Sequence, residues 1–224
     1  MKIYQYLILL LLAVNSYAQD TYEFDHVIQY RYKFYTDTVN NNRHSHNFYR
    51  FVNSKNNTYS LTVWEYKNTV QMSLMLKDGK TYSDNIARAD FFVEAISLKC
   101  PRVGMQNPKY SKDVKDYSFI KAADSVINTN PVKHLVFKPV DEKKLKKNKI
   151  LTEHFLVDNK YNFSVPSLPN NSLAHKILTA GEKLPNGVVS DWYMEDAQGN
   201  KTEEVYLVDC IALKKIIIID TNCK

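Results

Sequence analysis

Val188-Val189-Ser190-Asp191-Trp192-Tyr193-Met194-Glu195, then Asp196-Ala197-Gln198-Gly199-Asn200, then Thr202 through Leu213 is the stretch that decides the fold class. A run rich in β-branched and aromatic residues meets a cluster of turn formers, and a second run of the same character follows. Lys214 to Ile219, closing on four consecutive isoleucines, prolongs the returning strand. The pattern predicts a long antiparallel hairpin.

The N-terminal side repeats the theme. In Tyr22 to Tyr35, Tyr30, Tyr32 and Phe34 share one parity and Arg31 and Lys33 the other, the period-two signature of a strand with one buried face. Polar Thr36 to Asn47 is expected to be a loop. Phe48 to Val52 and Tyr59 to Tyr66 read as strands around an Asn53-Ser54-Lys55-Asn56-Asn57 turn. Val70 to Leu76 and Lys80 to Tyr82 flank Lys77-Asp78-Gly79, a strong hairpin signal. Asp84 to Leu98 fits neither period, so a short helix giving way to a strand is expected. Tyr117 to Ala122, Val132 to Phe137 and Ile150 to Val157 are further strands. Tyr161 to Asn171 reads as an irregular excursion, and Ser172 to Ala180 as a short helix ended by Gly181. The fold class is therefore mainly β, a curved antiparallel sheet or half-barrel with one or two short helices.

The C-terminal segment also carries a family likeness. Leu184-Pro185-Asn186-Gly187-Val188-Val189, followed by Tyr193 to Asn200 and a long strand, resembles the end of LolA-like envelope proteins, a group that includes periplasmic lipoprotein carriers. It is also similar to small exported β-sheet proteins of Bacteroidota. The resemblance covers about thirty-five residues and implies an open half-barrel cradling an acyl chain or apolar peptide, with helices as a lid. The tyrosine-rich start and weak lid helices depart from the carrier pattern, and no functional residue is carried over.

Met1-Lys2 is followed by an apolar run from Leu7 to Val14 and by Asn15-Ser16-Tyr17-Ala18, the layout of a secretory signal peptide cut after Ala18. The run is too short to span a bilayer, and so is Ile216 to Ile219. The expected product, residues 19–224, is a single exported domain without a membrane span, periplasmic or secreted. A weak boundary is expected near residues 143–149. With Lys2 removed and no acid lost, the formal charge falls from +6 to +5. The lysine run Lys143-Lys144-Leu145-Lys146-Lys147-Asn148-Lys149 has no interleaved aromatic to stack on a base, so it is read as a solvated loop and nucleic acid is not expected as a partner. Sixteen tyrosines and ten phenylalanines against five glycines exclude low-complexity disorder.

Candidate chemistry is sparse. In Arg43-His44-Ser45-His46, the two histidines share one face of an extended chain about 6–7 Å apart. They form a weak candidate metal pair that would need a third ligand from His26, His134 or His154. Cys100, Cys210 and Cys223 leave one thiol odd, with Cys210–Cys223 and Cys100–Cys223 both open as pairings. No nucleophile elbow, phosphate loop or cofactor motif is present, and Glu203 and Glu204 point to opposite strand faces. No catalytic residue and no cofactor are assigned. Asp37-Thr38-Val39 and Asp124-Ser125-Val126 resemble the O-glycosylation acceptor of exported Bacteroidota proteins; Asn56-Asn57-Thr58 and Asn162-Phe163-Ser164 fit the eukaryotic N-linked pattern. The expected role is non-catalytic binding of an apolar ligand. The alternatives are a protein-interaction module of the envelope or a secreted hydrolase.

Overall fold

The computed structural model describes residues 19–35, 43–105, 116–127, 130–141, 151–164, 174 and 185–220. Residues 1–18, Asp37-Thr38-Val39, the lysine run, Cys223 and the predicted helix apart from Ala174 lie outside the described residues. In chain order the elements are β1 (Gln19–Tyr35), β2 (Arg43–Asn53), β3 (Asn56–Glu65), β4 (Thr69–Leu76), β5 (Lys80–Ala87) and α1 (Arg88–Phe91). There follow β6 (Ala95–Lys99), β7 (Arg102–Met105), β8 (Tyr117–Lys121), β9 (Ser125–Ile127), β10 (Asn130–Pro139), β11 (Thr152–Asp158), β12 (Val188–Glu195) and β13 (Lys201–Asp220). They form one sheet ordered β7-β5-β4-β3-β2-β1-β13-β12-β11-β10-β8, with β6 added to β13 and β9 to β10. Every pairing is antiparallel except that of β6 with β13.

The expected hairpins are present, with corrections at their ends. Thr36 to Asn47 is not all loop: β2 starts at Arg43, because β1 runs on to Tyr35 and offers backbone partners to Arg43, His44 and Ser45. Strand β5 continues through Asp84 to Ala87, whose partners Thr69 to Met72 extend the β4 ladder. The expected helix-to-strand change survives as α1 and β6. Strands β7 and β9 are too short to carry a pattern.

Curvature follows from one connection. Strands β5 and β13 are five ladder steps apart, about 24 Å in a flat sheet at about 4.8 Å per step. Yet β6 pairs with β13 through Lys99, and β7 pairs with β5 from Arg102. Three residues reach only about 10 Å, so the sheet must roll until these two edges nearly meet. The corner is Cys100, at φ 52, followed by Pro101. The roll encloses one core of Phe24, Phe51, Leu61, Val63, Val70, Met72, Leu74, Phe91 and Ile217.

A second core lies on the opposite face. It takes Ile28, Tyr30, Phe48 and Val52 from β1 and β2, and Phe137, Phe155, Val157, Trp192 and Val205 from β10 to β13. Phe51 and Val52, adjacent in β2, therefore enter different cores. The expectation of one buried face is corrected here: the central strands are covered on both sides. The exchange occurs at Asp25, where the β1–β13 register shifts between Phe24 and His26. Its carboxylate accepts hydrogen bonds from Ser54 N at 2.8 Å and Ser54 Oγ at 2.5 Å, with His26 Nδ1 at 2.9 Å. Burial pushes the Asp25 pKa up, but these bonds outweigh it and hold the group below its ordinary value.

Candidate functional site

The second core is where polar chemistry enters an apolar face. Tyr30, Phe48 and Trp64, from three adjacent strands, form a stack with ring centroids 5.4 and 4.7 Å apart. The Tyr30 hydroxyl donates to Val189 O at 3.0 Å, reaching across β13 to the start of β12. Past β11, the chain crosses this face: Ser164 N donates to Ser54 O, and the Phe163 ring meets His26 at 4.7 Å. Ala174, helical and fully buried, belongs to the same core.

Within this face sits Arg50, on the parity of Phe48 and Val52 and opposite Ile28 and Thr62. Only 2 % of its surface is exposed. Nη2 donates to Ser60 Oγ at 3.1 Å, while Nε and Nη1 have no hydrogen-bond partner among the described residues. Burial lowers its pKa to about 10, partly offset by the Tyr30 phenol, so it is a cation at neutral pH. An uncompensated buried charge costs several kcal/mol. Arg50 therefore has donors and charge to offer an anionic oxygen.

The outer face of β10 to β13 carries a second polar group. His134 Nε2 and His154 Nδ1 share a hydrogen bond at 3.0 Å, and His154 stacks on Tyr193 at 4.5 Å. His154 Nε2 lies 3.3 Å from Glu195 Oε2, but it is misaligned and makes no hydrogen bond. Burial, His134 and Lys201 lower the His154 pKa to about 4. Farther along, Glu204 meets Lys33, Tyr35 and Lys201 at 3.3, 3.0 and 3.0 Å. Burial and Glu204 raise the Asp191 pKa to about 6. These groups lie along a sheet face rather than around one reacting position.

The residues singled out in the sequence are mostly kept apart. His44 and His46 lie opposite Phe34 and Tyr32 on β2, whereas His134 and His154 meet on β10 and β11, and His26 is engaged with Asp25. Among the described residues no three His, Cys, Asp or Glu side chains converge as a metal site. Cys100 is disulfide-bonded and Cys210 is a free, half-buried thiol, so the Cys210–Cys223 pairing drops out. Val126 of the Asp124-Ser125-Val126 motif lies exposed on β9. The sequence signal for Arg50 was one charge inside Phe48-Tyr49-Arg50-Phe51-Val52. The signal for Asp191 was an acid beside Trp192 in a buried strand. A shallow open groove between Lys67, Asn68, Arg88 and Phe92 lies on the other half of the sheet.

No family model and no curated protein matches this chain. Among solved structures, Pseudomonas aeruginosa MucB in complex with MucA shares 10% identity at a TM-score of 0.43, over 84% of this chain and 51% of that one. LolA-superfamily proteins are among the neighbours. The LolA superfamily protein NE2245 of Nitrosomonas europaea shares 13% identity at a TM-score of 0.31, covering 84% and 85% of the two chains. A putative outer membrane lipoprotein-sorting protein domain from Vibrio parahaemolyticus shares 11% at 0.23, covering 90% and 87%. This chain spans about half the length of the MucB structures it matches.

Proposed function

We propose that this protein is an exported, non-catalytic binding protein of the bacterial envelope that holds an apolar or lipid-like molecule against its aromatic sheet face. The observation that carries this reading is the aromatic face built by Tyr30, Phe48, Trp64, Phe155 and Trp192, with a buried cation, Arg50, among its few polar groups. Small-molecule sites have this composition: predominantly hydrophobic and aromatic walls with a few placed polar groups. The export part of the proposal rests on the leader at residues 1–18. Native mass spectrometry of protein purified from an envelope fraction, followed by organic extraction, tests the reading. A co-purifying apolar species supports it; an apo mass that stays unchanged on adding acyl compounds rejects it.

A second reading, a protein-interaction module, is favoured by one stretch of β13. Strand β12 pairs with its residues 201–206 and β6 with 216–220, both on the edge away from β1. Between them, no described strand pairs with residues 207–215 on that edge, and Val208 and Ile211 are exposed. Such an edge accepts an extended peptide by strand addition. Hydrogen exchange in the presence of envelope extract distinguishes the readings, since strand addition protects amides in residues 207–215 and ligand binding in the aromatic face does not.

A further inference from the structure

Arg50 says more than that the ligand is apolar. A face chosen only to hold hydrocarbon gains nothing from a guanidinium, whose burial is costly and whose replacement by an apolar side chain of similar volume is often neutral or stabilising. Arg50 is nonetheless fully enclosed, and its one described hydrogen bond, from Nη2 to Ser60, leaves both Nε and Nη1 unused. Those atoms, with Nη2, present the two edges of the planar group that match carboxylate and phosphate oxygens. Among the described residues no carboxylate pairs with it, and the nearby Tyr30 phenol, itself buried and tied to Val189 O, is held neutral. The charge is thus unmatched from within the described residues, on the same strand face as the Tyr30–Phe48–Trp64 stack.

We propose that Arg50 is the anion anchor of this face: it binds the carboxylate or phosphate end of an apolar ligand whose hydrocarbon lies along the aromatic stack. This rests on the apolar-ligand reading above and adds the head group to it. Carboxylate and phosphate ends share the chemistry, two or more anionic oxygens on one centre, and the experiment separates them.

Tryptophan emission, from Trp64 and Trp192 alone, is followed while the purified protein is titrated with dodecanoate, dodecyl phosphate or dodecan-1-ol, chains of one length and three heads. Charge-assisted hydrogen bonds make the expected preference for an anion over the alcohol about 10- to 100-fold. The tighter of the two anions identifies the head group. In Arg50→Met the preference vanishes while the alcohol binds as before. Arg50→Lys, which keeps the charge and loses the planar fork, is expected to fall between them and serves if the methionine variant does not fold. Equal binding of alcohol and anions by the wild type, or a preference that survives in both variants, overturns the role of Arg50 and leaves the apolar-ligand reading standing. No binding of any of the three overturns both.

Discussion

Replacing Asp191 with asparagine should make the protein more stable, by an amount that grows as the pH rises. The carboxylate sits on β12 with Oδ1 buried and without a hydrogen-bond partner among the described residues. Burial first, then the charge of Glu204, pushes its pKa from 3.8 up to about 6, against the opposing pull of Lys201 and Lys33. At 1.36 kcal/mol per pKa unit, ionised Asp191 costs the fold about 3 kcal/mol at pH 7.5. A folded-state pKa raised above the unfolded value contributes stability below about pH 4, and that stability is lost as the pH rises through about 6. Asparagine keeps the shape and cannot ionise. The stability difference between Asp191→Asn and wild type should therefore be about 1 kcal/mol at pH 4.5 and about 3 kcal/mol at pH 7.5. Urea unfolding at the two pH values measures it. A difference that does not change with pH, or a variant less stable at pH 7.5, would refute the reasoning; the lysines would then outweigh burial.

Gly187, at φ +140, would place a Cβ 2.4 Å from Asp158 O, so Gly187→Ala should lose about 2–5 kcal/mol in thermal unfolding. Gly199→Ala, at φ +83 with nothing within 4 Å, should lose only the backbone share, about 1–2 kcal/mol; equal losses would discount the close approach. Non-reducing peptide mapping should join Cys100 to Cys223, since the β6–β13 register runs Leu98 to Ile219 and Lys99 to Asp220 and carries the chain end toward Cys100. Cys100→Ser should then cost about 2–5 kcal/mol, and a bridged peptide containing Cys210 would reject the pairing. His154 should titrate by NMR with a midpoint near 4, its stability contribution being lost as the pH falls from 6.5 through 4. A midpoint at or above 6.5 would mean that the ring is solvated or paired with Glu195.

The sequence by itself determined the strands, because alternation and turn chemistry are local: Tyr30 and Tyr32 against Arg31 and Lys33, Asp78-Gly79, and Asp196 to Asn200 each act within a few residues. The C-terminal hairpin was legible for the same reason, as it lies in one continuous stretch. What the alternation could not disclose is which core each face enters. Phe24 and Tyr30 share a parity in β1, yet they fall on opposite sides of the register shift at Asp25 and pack into different cores. Arg43 to Asn47 is polar and reads as loop, but a neighbouring strand with free backbone groups drew it into the ladder. Only the tertiary structure decided the site. Arg50 becomes an unmatched cation because distant segments, β12 and the crossing at Phe163, converge near its face, and His134 meets His154 because β10 and β11 pair in that register. Burial and pairing are properties of what folds over a residue, and neighbours in sequence do not carry that information.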